Sequence, residues 1–467
     1  MPRYGPSDIL LIAVFAACVS FQLFVPPSIG LADNGDSPKM IGRFSLGPEN
    51  HDTSDGYRYF TARWVYDRNY FWISDNRSSE LALIGGAVFI SRCFSTQIFD
   101  IRILGAIHAL LWIACFAAFL PLLLRLGVRA RYAISITALF ILTDVSYVAH
   151  FNSFYTDTAA FLFLAWALVL WLYLATREGP PAALFALFCL AAILCISSKA
   201  QHATLGLLLF LLAVIAAFSF AGKWRKIGAL AAALAIPMVT ALTFLLVVPS
   251  DTEGSSWSVI SMKVLNHSPT PLDDARELGL GPEYLRYAGH WPSQPSEDPM
   301  SDPAWRAEYN RRTGPQKLAR FYLRHPWRAL QIIYNDLRGP ASTRPWNVGY
   351  YERVSGLPPF APARSFRWWS FLRSALFRLA PWHVLVWYAV VLAMAIRLTV
   401  RHRGTMLSRV AILCALLIGM GVTELAISTL GDAGETARHL TLFHIITDFT
   451  LLPAIGFIRV HPRPISL

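Results

Sequence analysis

The chain has 467 residues, 55 % of them hydrophobic and only 15 % charged, with a mean hydropathy of +0.44. So little polar surface excludes a soluble globular protein of this length, and recurring apolar runs of about 18 residues or more read as membrane spans. The formal net charge of +12 is explained by arginines beside spans; no nucleic-acid-reading motif accompanies it, so no nucleic-acid partner is expected.

The first apolar run, near 8–26, is longer than a usual signal-peptide core and reads as an uncleaved span. "LADNGDSPK" (31–39) follows, with Asp33 and Asp36 flanking Asn-Gly. Asn-Gly is a strong turn signal and Asp commonly caps donors beside it, so a plain turn is one reading. "LALIGGAVFI" (81–90) is too short to span and is expected as an interfacial helix. Further spans are expected near 101–124, 132–149, 158–176, 182–197, 204–221, 227–248, 383–399, 406–429 and 440–459.

The predicted fold is therefore an all-α polytopic membrane protein of about ten transmembrane helices, with interfacial helices and a large outer-face segment. Three parts are expected: an N-terminal transmembrane module (1–249) with outer acidic loops, a large extracytoplasmic segment (250–382), and a C-terminal transmembrane module (383–467). Within the segment, "QKLARFYLRHPWRALQIIYNDL" has helical periodicity, and His325-Pro326 should break it in two.

Arginine and lysine fix the orientation. Arg3, the Arg125–Arg131 loop, Arg177, Lys223 to Lys226, Arg397 to Arg403, and Arg459 with Arg463 alternate along the chain as cytoplasmic loops. The protein is thus expected to cross a membrane many times. Five of the six cysteines lie in apolar runs, and none has metal-ligand spacing.

That orientation, set by basic residues alone, places the remaining polar clusters together outside. They are "ADNGD", "HFNSFYTD" (150–157) with Asn152 and Asp157, "SSKAQH" (197–202) with Lys199, Gln201 and His202, and "GDAGETARH" (431–439) with Glu435, Arg438 and His439. Each has an ordinary reading as well: Asp157 as an N-cap, Lys199 as a snorkelling side chain, Arg438 and His439 as boundary residues. Jointly, they supply carboxylates for activating a hydroxyl and cations for a departing phosphate. Inverting glycosyl transfer from a lipid phosphate needs that set.

"ADNGDSPK", "HFNSFYTD", "SSKAQH", "NVGYYERVSGLPP" (347–359) and "ETARHL", in this order, resemble the GT-C superfamily of glycosyltransferases. More narrowly, they resemble a bacterial hexose-transferase family of glycan biosynthesis labelled WsfD-like. The resemblance implies a polyprenyl-phosphate sugar donor, a glycan or lipid acceptor, and a site at the outer membrane face among membrane lipids. It assigns catalytic acids to Asp33 or Asp36 and to Asp157, where many members carry Glu. The remaining cluster residues are then substrate-binding. The superfamily divides on divalent-metal use, so the cofactor is left open, and no metal ligands are assigned. A lipid-linked-sugar flippase is the alternative, resting on the intramembrane acids Asp144, Glu424 and Asp448. A noncatalytic assembly subunit is a third.

Overall fold

The computed structural model describes residues 4–49, 53–74, 76–177, 179–246, 249–290 and 302–459; Arg3 and Arg463 lie outside them. The protein is mostly helical and polytopic. Among the described residues, eight helices are long and apolar enough to cross a membrane: Pro6–Phe24, Arg102–Arg125, Asp157–Ala175, Ala200–Ala217, Lys223–Leu245, His383–Arg401, Met406–Leu430 and Thr436–Phe457.

Two of the ten expected spans differ. The one expected at 132–149 is a pair, Val128–Leu142 and Val145–Phe151, bent by 52°. Asp144 causes the break by capping the second piece: its carboxylate accepts from Ser146 N–H at 2.8 Å and from Ser370 N–H at 2.8 Å. Carbonyls freed at the bend are recovered by side chains, Leu142 by Trp112 Nε1 at 3.0 Å and Thr143 by Gln22 Nε2 at 3.0 Å. Such recovery is what makes irregular backbone tolerable in a membrane.

The span expected at 182–197 is a helix of 15 residues, Ala182–Ile196, roughly 22 Å long at 1.5 Å per residue and short of a full hydrocarbon core. Pro180 and Pro181 stop it at one end. It nevertheless returns the chain to the face it left, because Lys199 comes back to within 3.6 Å of Asp157.

Basic loops collect at one face and the carboxylate-rich loops at the other; they are called here the arginine-rich and the acidic face. The main core lies between them, built from residues such as Trp112, Phe151, Phe161, Trp171, Phe188 and Ile446.

At the acidic face the chain adds short strands. β1 (Ile29–Leu31) pairs antiparallel with β5 (Val348–Tyr351), and β2 (Leu46–Pro48), β3 (Arg63–Tyr66) and β4 (Ile98–Asp100) form a second antiparallel sheet. The helix Glu80–Arg92 lies over this sheet as expected of an interfacial element. It buries Ile84, Ala87 and Val88, while Phe89 and the following Phe94 are exposed.

The segment between the apolar helices Lys223–Leu245 and His383–Arg401 has two parts. Its first part packs Trp257, Tyr284, Tyr309, Leu318 and Phe321 into a core of its own. The expected break at His325 is present, between helices Pro315–Arg324 and Pro326–Arg338. Its second part supplies β5 to the first loop. Lys263 helps clamp the segment to the membrane helices, donating to Asp336 at 2.7 Å, the Asp432 carbonyl at 2.8 Å and the Thr429 carbonyl at 2.9 Å.

Candidate active site

The first loop is organised by its own side chains. Asp33 Oδ1 accepts from Gly35 N–H at 2.9 Å and Ser37 N–H at 3.1 Å. The turn reading therefore holds for one carboxylate oxygen of Asp33. Gly35, at φ +97°, takes the left-handed position the turn needs. Asp33 and Asp36 stay partly exposed.

Asp36 faces a different partner. Its carboxylate accepts from Arg438 at 2.8 Å and lies 3.0 Å from Lys39 Nζ. Partial burial pushes this carboxyl up, but the two cations outweigh it and hold its pKa at about 2. The same Arg438 guanidinium stands 3.0 Å from Glu435 and 5.2 Å from the centre of the Tyr155 ring.

Glu435 is the pivot of this corner. It sits at φ +51°, a left-handed conformation that a non-glycine residue adopts only when its surroundings fix it. Its carboxylate accepts from Trp346 Nε1 at 2.8 Å and from Asn34 Nδ2.

Sequence reasoning passed over the polar group beneath. Asn34 N–H donates to the Tyr155 hydroxyl at 2.8 Å, and Asn347 Nδ2 donates to it at 3.1 Å. Burial pushes the Tyr155 phenol far above its usual value, so it remains protonated, next to the Asn34 side-chain carbonyl. Asn347 also donates to the Ala32 carbonyl at 2.9 Å. Asn34, Tyr155 and Asn347 each lie inside a stretch that carries the family resemblance, and that was the available signal.

Asp157 opens its helix but lies deeper, at 2 % exposure. Its Oδ1 is 3.6 Å from Lys199 Nζ and 3.4 Å from His202 Nε2. His202 Nδ1 is 3.1 Å from Glu424, whose other oxygen accepts from Gln201 Nε2 at 2.9 Å. A carboxylate–imidazole–carboxylate series thus runs from Asp157 into the membrane helices. Gln201 also donates to the His439 carbonyl at 3.1 Å, and the His439 ring lies 3.9 Å from Asp432.

The structure therefore brings together Asp33, Asp36, Glu435 and Arg438 in one partly exposed corner. Asp157, His202 and His439 are buried below it, and the half-buried Lys199 and Gln201 join them. Asn152 stands apart: fully buried, it spends its amide on the Leu23 and Ile29 carbonyls at 3.2 and 2.8 Å. It holds β1 to the end of the first span. A second buried pair went unrecognised in the sequence, Glu80 with His108 at 2.9 Å.

Two further points bear on chemistry. Among the described residues, no group of three or more His, Cys, Asp or Glu is gathered to hold a metal ion; Asp36 and Asp157 are partnered by cationic side chains. The intramembrane acids have partners too. Asp448 accepts from Trp369 Nε1 at 2.7 Å and lies 3.2 Å from Arg373.

A family profile described as YfdI N-terminal transmembrane domain matches residues 3–465. The chain belongs to that family. The match covers nearly the whole chain, and every residue of the candidate site lies within it. Its description names a transmembrane domain and does not extend to the narrower WsfD-like resemblance. Among curated proteins and solved structures, none matches the chain.

Proposed function

We propose that the chain is a membrane glycosyltransferase that moves a sugar from a polyprenyl-phosphate donor to a glycan or lipid acceptor, with inversion, at the outer face of a bacterial cytoplasmic membrane. The observation that carries this reading is the Asp33–Asp36–Arg438 corner. A reachable carboxylate and a buried-side guanidinium sit together at the membrane boundary, as in-line displacement of a phosphate requires.

In this reading Asp33 is the base. One of its oxygens is anchored by backbone N–H groups, which fixes the carboxylate's direction. It takes the proton of the acceptor hydroxyl as that oxygen bonds to the anomeric carbon. The bond from the anomeric carbon to the phosphate oxygen breaks, and the phosphate leaves with the electron pair. Arg438, backed by Lys199, neutralises the charge that develops. Asp36 holds Arg438 before the donor arrives and competes poorly for protons itself. Asp157, too buried to meet an acceptor, positions Lys199 and His202.

A lipid-linked-sugar flippase is the alternative reading; Asp144, Glu424 and Asp448, on which it rests, are engaged by helix caps or side-chain partners. The test in the host is structural analysis of the glycan from a deletion strain complemented with wild type or with Arg438→Ala. Accumulation of glycan lacking one sugar, rescued by wild type alone, is expected. Unchanged glycan in both strains contradicts the reading.

A further inference from the structure

The Asp157–Ala175 helix has a second end, 19 residues and roughly 28 Å away on the arginine-rich face. There a cleft of about 1360 Å³ opens between the membrane helices. Phe116, Leu123, Leu168, Leu172, Leu413 and Phe449 line it, and Arg125 and Arg129 stand at its mouth. Arg125 donates to the Thr176 carbonyl at 3.0 Å, which fixes the guanidinium at the rim. Arg409 adds a further cation, donating to the Ala175 carbonyl at 2.9 Å.

We propose that this cleft binds an anionic glycerophospholipid from the leaflet at the arginine-rich face, acyl chains inside and phosphate at Arg125 and Arg129. The volume exceeds the roughly 300–1,000 Å³ of compact small-molecule sites, so it suits long chains. The apolar walls favour hydrocarbon. Guanidinium groups match a phosphate in geometry and charge, and juxtamembrane cations attract anionic lipid. A polyprenyl phosphate shares this headgroup chemistry, and the titration separates the two. The inference does not rest on the transfer reading, since it involves none of the same side chains.

Native mass spectrometry of the delipidated full chain, titrated with phosphatidylglycerol, phosphatidylcholine or polyprenyl phosphate, tests it. One phosphatidylglycerol should be retained about tenfold better than phosphatidylcholine. Arg125→Ala/Arg129→Ala should bring that ratio to within about twofold, while Arg125→Lys/Arg129→Lys keeps most of it. Leu168→Trp, which fills the cleft, should lower retention of phosphatidylglycerol with the charges intact. Equal retention of both phospholipids by wild type, an unchanged ratio in the alanine variant, or a polyprenyl phosphate retained more tightly than phosphatidylglycerol and lost in the alanine variant overturns the proposal.

Discussion

Arg438 and Asp36 lie 402 positions apart in the chain and 2.8 Å apart in space. The contact ties the start of the last span to the loop after the first, so the corner exists only when both ends of the membrane domain are packed. Glu435 and the Tyr155 ring hold the same guanidinium from other sides. Arg438 is thereby held in place by three groups, and in the proposed transfer it would meet the leaving phosphate already oriented.

Replacing Arg438 should therefore act on donor use. Arg438→Ala should lower kcat/KM for the lipid-linked sugar by about 10²-fold. Arg438→Lys should recover part of it, since the charge returns without the planar fork. Initial rates against donor concentration measure both.

Asp33→Asn separates base from turn. Asn keeps the carbonyl oxygen that accepts from Gly35 and Ser37, so thermal stability should stay close to wild type. Transfer should fall by about 10²-fold or more, the scale for losing a general base. Asp33→Ala should lose the same activity and also lower the melting temperature, because the turn then lacks its acceptor.

Asp157 should show the opposite profile. It is buried beside Lys199 and His202, so Asp157→Asn leaves cationic groups without compensation and should cost about 3 kcal/mol or more in unfolding measurements. Asp157→Asn with Lys199→Met should recover part of that loss, and a double-mutant cycle gives the coupling.

The Asp36 carboxyl also sets a pH dependence. Its folded value of about 2 lies below the roughly 3.9 of a free aspartate. A depressed value stabilises the fold above the free value, and this contribution disappears as pH falls through about 2. Melting temperature should drop between about pH 4 and pH 2 more steeply in wild type than in Asp36→Asn.

Much of this was legible in the sequence. Apolar length gave most of the spans, and His325-Pro326 gave the helix break, because both follow from local chemistry. The basic loops separated the two faces and grouped Asp36 with Arg438 correctly. What pattern alone did not give was depth. Asn152 and Asp157 share a loop, yet one clamps β1 and the other faces Lys199, a difference set by long-range packing. The bend at Asp144 was hidden for the same reason: an aspartate inside an apolar run reads as an intramembrane charge until Ser370, 226 positions away, is seen donating to it. Strands as short as β1 and β5 carry too little alternation to register before their pairing is known.

The central claim is chemical transfer at the acidic face, and a purified system tests it most directly. Detergent-solubilised protein is mixed with polyprenyl-phosphate sugar and an acceptor pool from the native host, and free polyprenyl phosphate and sugar-bearing acceptor are both quantified. The two should appear in equal amounts with wild type, and about 10²-fold more slowly with Asp33→Asn. Absence of transfer with every donor, while reconstituted vesicles carry lipid-linked sugar across the bilayer, would contradict it and make the protein a flippase.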